Sequence, residues 1–180
     1  MEKNKGGLIE YFLRGVLLLI FSLFLFYKIG NYYDIVTSLV LLFSFFIELF
    51  KLKDTQNGRY SLKASYLFWG AIILIMFYRY PVILHFWSPI VIGFSIKLVI
   101  FVFFIIKYRG LYQTRTYLSL FWIFGLVLCY SEMLLNTTFY FYGFLKSISF
   151  LSALELAFIV LFQKEFKFFI PSVFHLKRNQ

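Results

Sequence analysis

The chain is a series of apolar blocks, each close to the length that crosses a lipid bilayer, separated by short polar or charged breaks. A hydrocarbon core about 30 Å thick takes roughly 17–25 mostly apolar residues of α-helix. The blocks fall at 11–28, 32–50, 64–80, 89–106, 117–135 and 147–163. Backbone N–H and C=O groups find no water in lipid, so a continuous segment of this length must satisfy them internally as a helix. The expected fold is therefore all-α, a polytopic transmembrane helix bundle with about six membrane-spanning helices. Residues 1–163 form its single transmembrane domain, and 164–180 form a basic, amphipathic cytoplasmic tail.

Composition agrees with this reading and excludes a water-soluble globule. Of 180 residues, 62% are hydrophobic and 24% aromatic, with 27 Phe and 14 Tyr, while only 14% are charged. A soluble domain of this size has too little interior for so many rings, and lipid must take the surplus. The breaks at Gly30 and Asn31, 51–63, 80–89, 107–116 and 136–146 hold turn formers or charges that are expensive in hydrocarbon. A short basic stretch precedes the first block, as in a signal peptide, but no small-residue cleavage pattern follows near 27–29, so a retained first helix is expected. The lone Cys129 excludes an intrachain disulfide or a cysteine-based zinc set.

The net charge of +10 is spread between the apolar blocks rather than gathered into one stripe, so nucleic acid is not an expected partner. Fourteen cations fall on one side of the expected bundle: Lys3, Lys5, Arg14, Lys51, Lys53, Arg59, Lys63, Lys107, Arg109, Arg115, Lys164, Lys167, Lys177 and Arg178. Lys28, Arg79 and Lys146 fall on the other, and Lys97 lies inside a helix. Retention of Lys and Arg in cytoplasmic loops then predicts N-in, C-in topology in an inner (plasma) membrane. Tyr32, Tyr33, Trp87, Tyr140 and Tyr142 would mark the outer headgroup level. Phe166, Phe169, Ile170, Val173 and Phe174 recur at helical spacing and predict an interfacial segment bent at Pro171.

Ionisable side chains within the blocks need a reason to be there, since each costs about 2.5–3.5 kcal/mol to insert at a helix centre. Lys97 and Glu155 fall near mid-block, Glu132 towards the outer side and Glu48 towards the inner. Each belongs to a stripe of three- and four-residue spacing that occupies one helical face. The stripes are Asp34, Thr37, Leu41, Ser44, Glu48 and Lys51; Pro89, Gly93 and Lys97; Trp122, Gly125, Cys129, Glu132 and Asn136; and Ser149, Ser152 and Glu155 beside Ala153 and Ala157. These faces are expected to point inward, where polar groups pair and small residues allow close approach.

Lys97, Glu132, Glu155 and Ser152 are thus the candidate binding or ion-pathway residues, with a Lys97–Glu155 pair at mid-depth and Glu132 at the outer mouth. The competing reading is a structural salt bridge with hydrogen bonds that hold the bundle together. Glu48 is expected to snorkel towards headgroups beside Lys51, one turn on. Arg14 and Lys97, 83 residues apart, and Glu48 and Glu132, 84 apart, occupy matching places in the two three-helix halves, as an inverted repeat would arrange them.

Enzyme signatures are missing: there is no metalloprotease helix, nucleophile elbow or phosphate-binding loop, and His85 and His175 fall on opposite sides of the membrane. Cys129 shares a face with Glu132, and a neighbouring carboxylate works against thiolate formation. Asn136, Thr137 and Thr138 have the form of a glycosylation acceptor, which matters only in a secretory host. No catalytic residue, cofactor or metal is assigned. The expected function is to bind or move an ion or small molecule through a polar-lined bundle, with lipids and either a second copy or a membrane subunit as partners. The alternative is a sensor or accessory subunit that docks a cytoplasmic partner through its basic inner loops, and an intramembrane enzyme ranks last.

Overall fold

The computed structural model describes residues 5–27, 32–50, 58–79, 88–109, 114–135, 140–165, 167 and 169–174. They form six α-helices: α1 (Lys5–Tyr27), α2 (Tyr33–Phe50), α3 (Gly58–Arg79), α4 (Ser88–Tyr108), α5 (Tyr117–Leu134) and α6 (Phe141–Phe162). No strand occurs among the described residues, and the all-helical bundle is as expected. α2, α5, α6 and the Ile9–Tyr27 part of α1 are long and apolar enough to cross a membrane. Lys51, Trp87, Asn136, Thr137, Thr138, Phe166, His85 and His175 lie outside the described residues.

α3 and α6 each begin six residues earlier than the hydropathy blocks, at Gly58 and Phe141. Hydropathy marks where lipid begins, whereas a helix continues as long as its end groups are satisfied. α6 shows how: its first N–H groups are capped by a carboxylate from α5, described below.

The helices pack in an open chain, α3 on α1, α1 on α2, α2 on α5, α5 on α6 and α6 on α4. α3 and α4 stand at its two ends and are not packed face to face among the described residues. This order overturns the inverted-repeat expectation. In the first half the leading helix, α1, contacts both of its companions, whereas in the second half the last helix, α6, does so. The matching charge spacings do not come from repeated packing.

We call the end holding the start of α1 and the finish of α6 the terminal end, and the other the distal end. The larger core cluster fills the distal end, where Phe21, Leu25, Leu41, Ile72, Met76, Leu126 and Tyr130 are completely or almost completely buried. A smaller cluster of Ile100, Phe104, Leu156, Ile159 and Ile170 joins α4 and α6 to the C-terminal segment. At the distal end α4 meets α6 through Gly93, where an added Cβ would lie 1.8 Å from Ser149 Oγ.

The expected interfacial helix is replaced by a strap. Residues 163–172 are not helical where described, and Phe169 forms an isolated parallel bridge with Arg115. Ile170 N–H donates to Arg115 C=O at 3.0 Å, and Tyr117 N–H donates to Pro171 C=O at 3.4 Å. Thr114 Oγ1 donates to Lys167 C=O at 2.8 Å, and Ile170 is buried beneath the strap. Helical spacing of the rings did not carry over, because Pro171 and the backbone partners offered by 114–117 favour an extended path.

Candidate functional site

Helix ends set the architecture of the terminal end. Thr116 caps α5, its hydroxyl accepting the Ser119 N–H at 3.0 Å while Ser119 Oγ accepts the Thr116 N–H at 3.0 Å. This reciprocal cap starts α5 sharply and aims the preceding Arg115 into the bundle. α2 meanwhile ends two residues past Glu48, so that carboxylate arrives at the same level.

Glu48 is the hub. It is 1% exposed and pairs with Arg14 Nη2 at 2.7 Å and with Arg115 Nη2 at 3.0 Å. Trp69 Nε1 donates to it at 3.4 Å, and Ser65 supplies a further hydrogen bond. Arg14 also holds Glu10, one helical turn back, at 3.1 Å. Two carboxylates and two guanidiniums thus meet in a network joining α1, α2, α3 and the start of α5. The expectation that Glu48 snorkels is corrected: the burial of its carboxylate among four elements leaves it no route to the headgroups. Arg14 and Arg115, counted above as loop cations, are buried partners of this network.

Lys97 is 8% exposed, and its ammonium stands 3.5 Å from the centroid of the Trp122 ring. Such a cation–π contact is worth about 2 kcal/mol when desolvated. Glu155 is near enough to be felt electrostatically, but the two form no direct ion pair among the described residues. Its carboxylate instead accepts the Val173 N–H of the strap at 3.3 Å. Glu155 therefore fastens the strap to α6.

Glu132 and Ser152 lie elsewhere. Glu132 sits at the distal end of α5, where it accepts the Tyr140 N–H at 2.9 Å and the Phe141 N–H at 3.1 Å, capping α6 across the connection. Negative charge at a helix start also complements the helix dipole. Ser152 is fully buried on α6, with no hydrogen-bond partner for its hydroxyl.

A cavity of about 210 Å³ opens between α3 and α4. Lys97, Arg115 and Glu48 reach it, with Ser65, Thr114 and Ser119 supplying hydroxyls. Trp69, Trp122, Phe101, Leu120, Ile123 and Leu156 form apolar walls, and Leu98 stands at the rim, 52% exposed. Of the four residues singled out from the sequence, only Lys97 lines this cavity. Sequence reasoning missed Arg115, Ser65, Trp69 and Thr114. The one available signal was that Arg115 stands immediately before an N-capping Thr116, where its side chain is carried to the helix start.

No family model, curated protein or solved structure matches this chain.

Proposed function

We propose that this chain is a multi-pass membrane protein that binds a small molecule or ion in the cleft between α3 and α4. In this reading all six helices cross the membrane, with both termini cytoplasmic. The observation that carries it is the cavity itself: two cations, an anion, three hydroxyls and two tryptophans converge on unfilled space at a depth where polar groups are expensive. A pocket fits better than a continuous pathway, because Phe21, Leu41, Met76 and Tyr130 are completely buried in the distal core.

A second reading, a non-transporting accessory subunit, is favoured by the Glu10–Arg14–Glu48–Arg115 network, whose ion pairs bind the helices to one another. Gly70 separates the two. It lines the cavity, and an added Cβ there meets nothing within 4 Å, so Gly70→Leu starts a side chain in open space at the cavity wall. Purified chain is scanned by thermal unfolding against small ions and metabolite-sized organic molecules. A ligand at 100 times its Kd stabilises by about 2.7 kcal/mol, and this gain is expected in the natural sequence and lost in Gly70→Leu. Equal gains in both chains, or none in either, would sink the binding reading.

A further inference from the structure

We infer that the cleft takes a lipid-soluble monoanion, an amphiphile with one carboxylate or phosphate group, whose head meets Lys97 and whose apolar body lies between α3 and α4. The inference rests on the binding reading above and deepens it by naming the ligand class.

Charge is the first observation. Glu48, the anion already lining the cavity, is paired with both Arg14 and Arg115. Lys97 lies outside that network. Its ammonium touches the face of Trp122, and Glu155, one oxygen of which accepts the Val173 N–H, makes no direct ion pair with the lysine among the described residues. A buried ammonium without a contacting anion is among the costliest arrangements in a low-dielectric interior. A ligand anion at Lys97 removes that cost, whereas a cationic ligand adds to it. The Ser119 and Thr114 hydroxyls lining the same space already donate to the Thr116 and Lys167 carbonyls, so the lysine is the donor left for such a head.

Shape is the second. The cleft lies between the two helices at the ends of the open chain of contacts, and its far walls are Phe101, Ile123, Leu120 and Leu156. Leu98 on α4 is 52% exposed at the rim, and Leu67 and Leu74, on either side of Gly70 on α3, are 67% and 71% exposed. Exposed leucines flanking an opening between helices in hydrocarbon make an approach from the lipid, and an apolar chain crosses them without losing solvation.

Bromine quenching of tryptophan tests this, because Trp69 and Trp122 both line the cleft. The full chain carrying Trp87→Phe, which leaves those two as reporters, is placed in phosphatidylcholine nanodiscs and titrated with 12-bromododecanoate. Saturable quenching is expected, displaced by dodecanoate and displaced at least roughly tenfold less well by dodecanol, a difference of about 1.4 kcal/mol. Lys97→Met is expected to abolish the saturable component and Lys97→Arg to keep it. The competition series on the lysine-containing chain decides the matter even if Lys97→Met does not fold. Equal displacement by dodecanol or by dodecyltrimethylammonium overturns the anion and leaves the pocket standing. Acetate as effective as dodecanoate overturns the lipid-soluble body, and the anion then comes from water. No saturable quenching by 12-bromododecanoate or by 12-bromododecanol overturns the cleft as a binding site altogether.

Discussion

The two ends of the bundle are held together by different physics. At the terminal end Glu48, Arg14 and Arg115 pair across three elements, Lys97 leans on Trp122, and Glu155 ties the strap to α6. At the distal end Phe21, Leu25, Leu41, Met76 and Tyr130 interlock, with Glu132 as the acid at the rim. Lipid is as apolar as leucine, so the distal end gains from close contact rather than from hiding apolar area. The terminal end gains from pairing groups that lipid cannot solvate. The end that spends its polarity on pairing is also the one that retains an unfilled cavity.

The largest test of this contrast is Glu48→Leu, which leaves two buried guanidiniums without their shared anion. The expected loss is about 3–5 kcal/mol in reversible unfolding by denaturing detergent. Replacing Glu10, Arg14, Glu48 and Arg115 together by apolar residues of similar volume is expected to recover most of it. A stable Glu48→Leu chain would show that charge does not hold the terminal end.

The matching test of the distal end is Gly93→Ala. The new Cβ would stand 1.8 Å from Ser149 Oγ and 3.0 Å from its Cβ, so even after the hydroxyl rotates away α4 must retreat from α6. The same unfolding measurement is expected to show a loss of about 1–3 kcal/mol, recovered when Ser149→Gly is added. A loss that persists with Ser149→Gly would place the strain elsewhere. Glu132→Ala sharpens the contrast further, because it removes a distal carboxylate that caps α6. The cost is about 1 kcal/mol, read as faster amide hydrogen exchange at Tyr140 and Phe141; exchange unchanged there would mean that the cap is dispensable. Smallest is Gly70→Ala at the cavity wall, which adds a methyl into open space and removes a flexible residue from a helix. A gain of about 0.5–1 kcal/mol is expected, and a clear loss would mean that the wall is tighter than it is drawn.

What could be read in advance follows from the range of each interaction. Faces were legible: Thr37, Leu41, Ser44 and Glu48 on α2, Gly93 and Lys97 on α4, Trp122, Cys129 and Glu132 on α5, and Ser149, Ser152 and Glu155 on α6 all point inward. Helical periodicity is local, so short spacings reveal it. The meaning of those faces was less legible, because hydroxyls can be satisfied within their own helix. Thr37 donates to Tyr33 C=O and Ser44 to Val40 C=O, both at 2.7 Å, so a polar stripe does not by itself make a pathway. Pairings were not legible. Glu48 has Lys51 three residues away, yet its partners Arg14 and Arg115 lie 34 and 67 residues off along the chain. Their meeting depends on α1, α2 and the start of α5 sharing one end, which no local pattern encodes. Under the proposed topology the inside count falls from fourteen to twelve once those two arginines are withdrawn, against three outside, and the predicted orientation is unchanged.

The strap adds an order to the making of the protein. Residues 163–174 leave the ribosome only after all six helices have been synthesised, and they alone supply the Ile170 N–H, the Pro171 C=O and the Val173 N–H that seat Arg115, Tyr117 and Glu155. An insertion intermediate that already holds every helix therefore still has an unfastened terminal end. A chain cut short after Gln163 would reach the membrane with its helices in place and its latch missing.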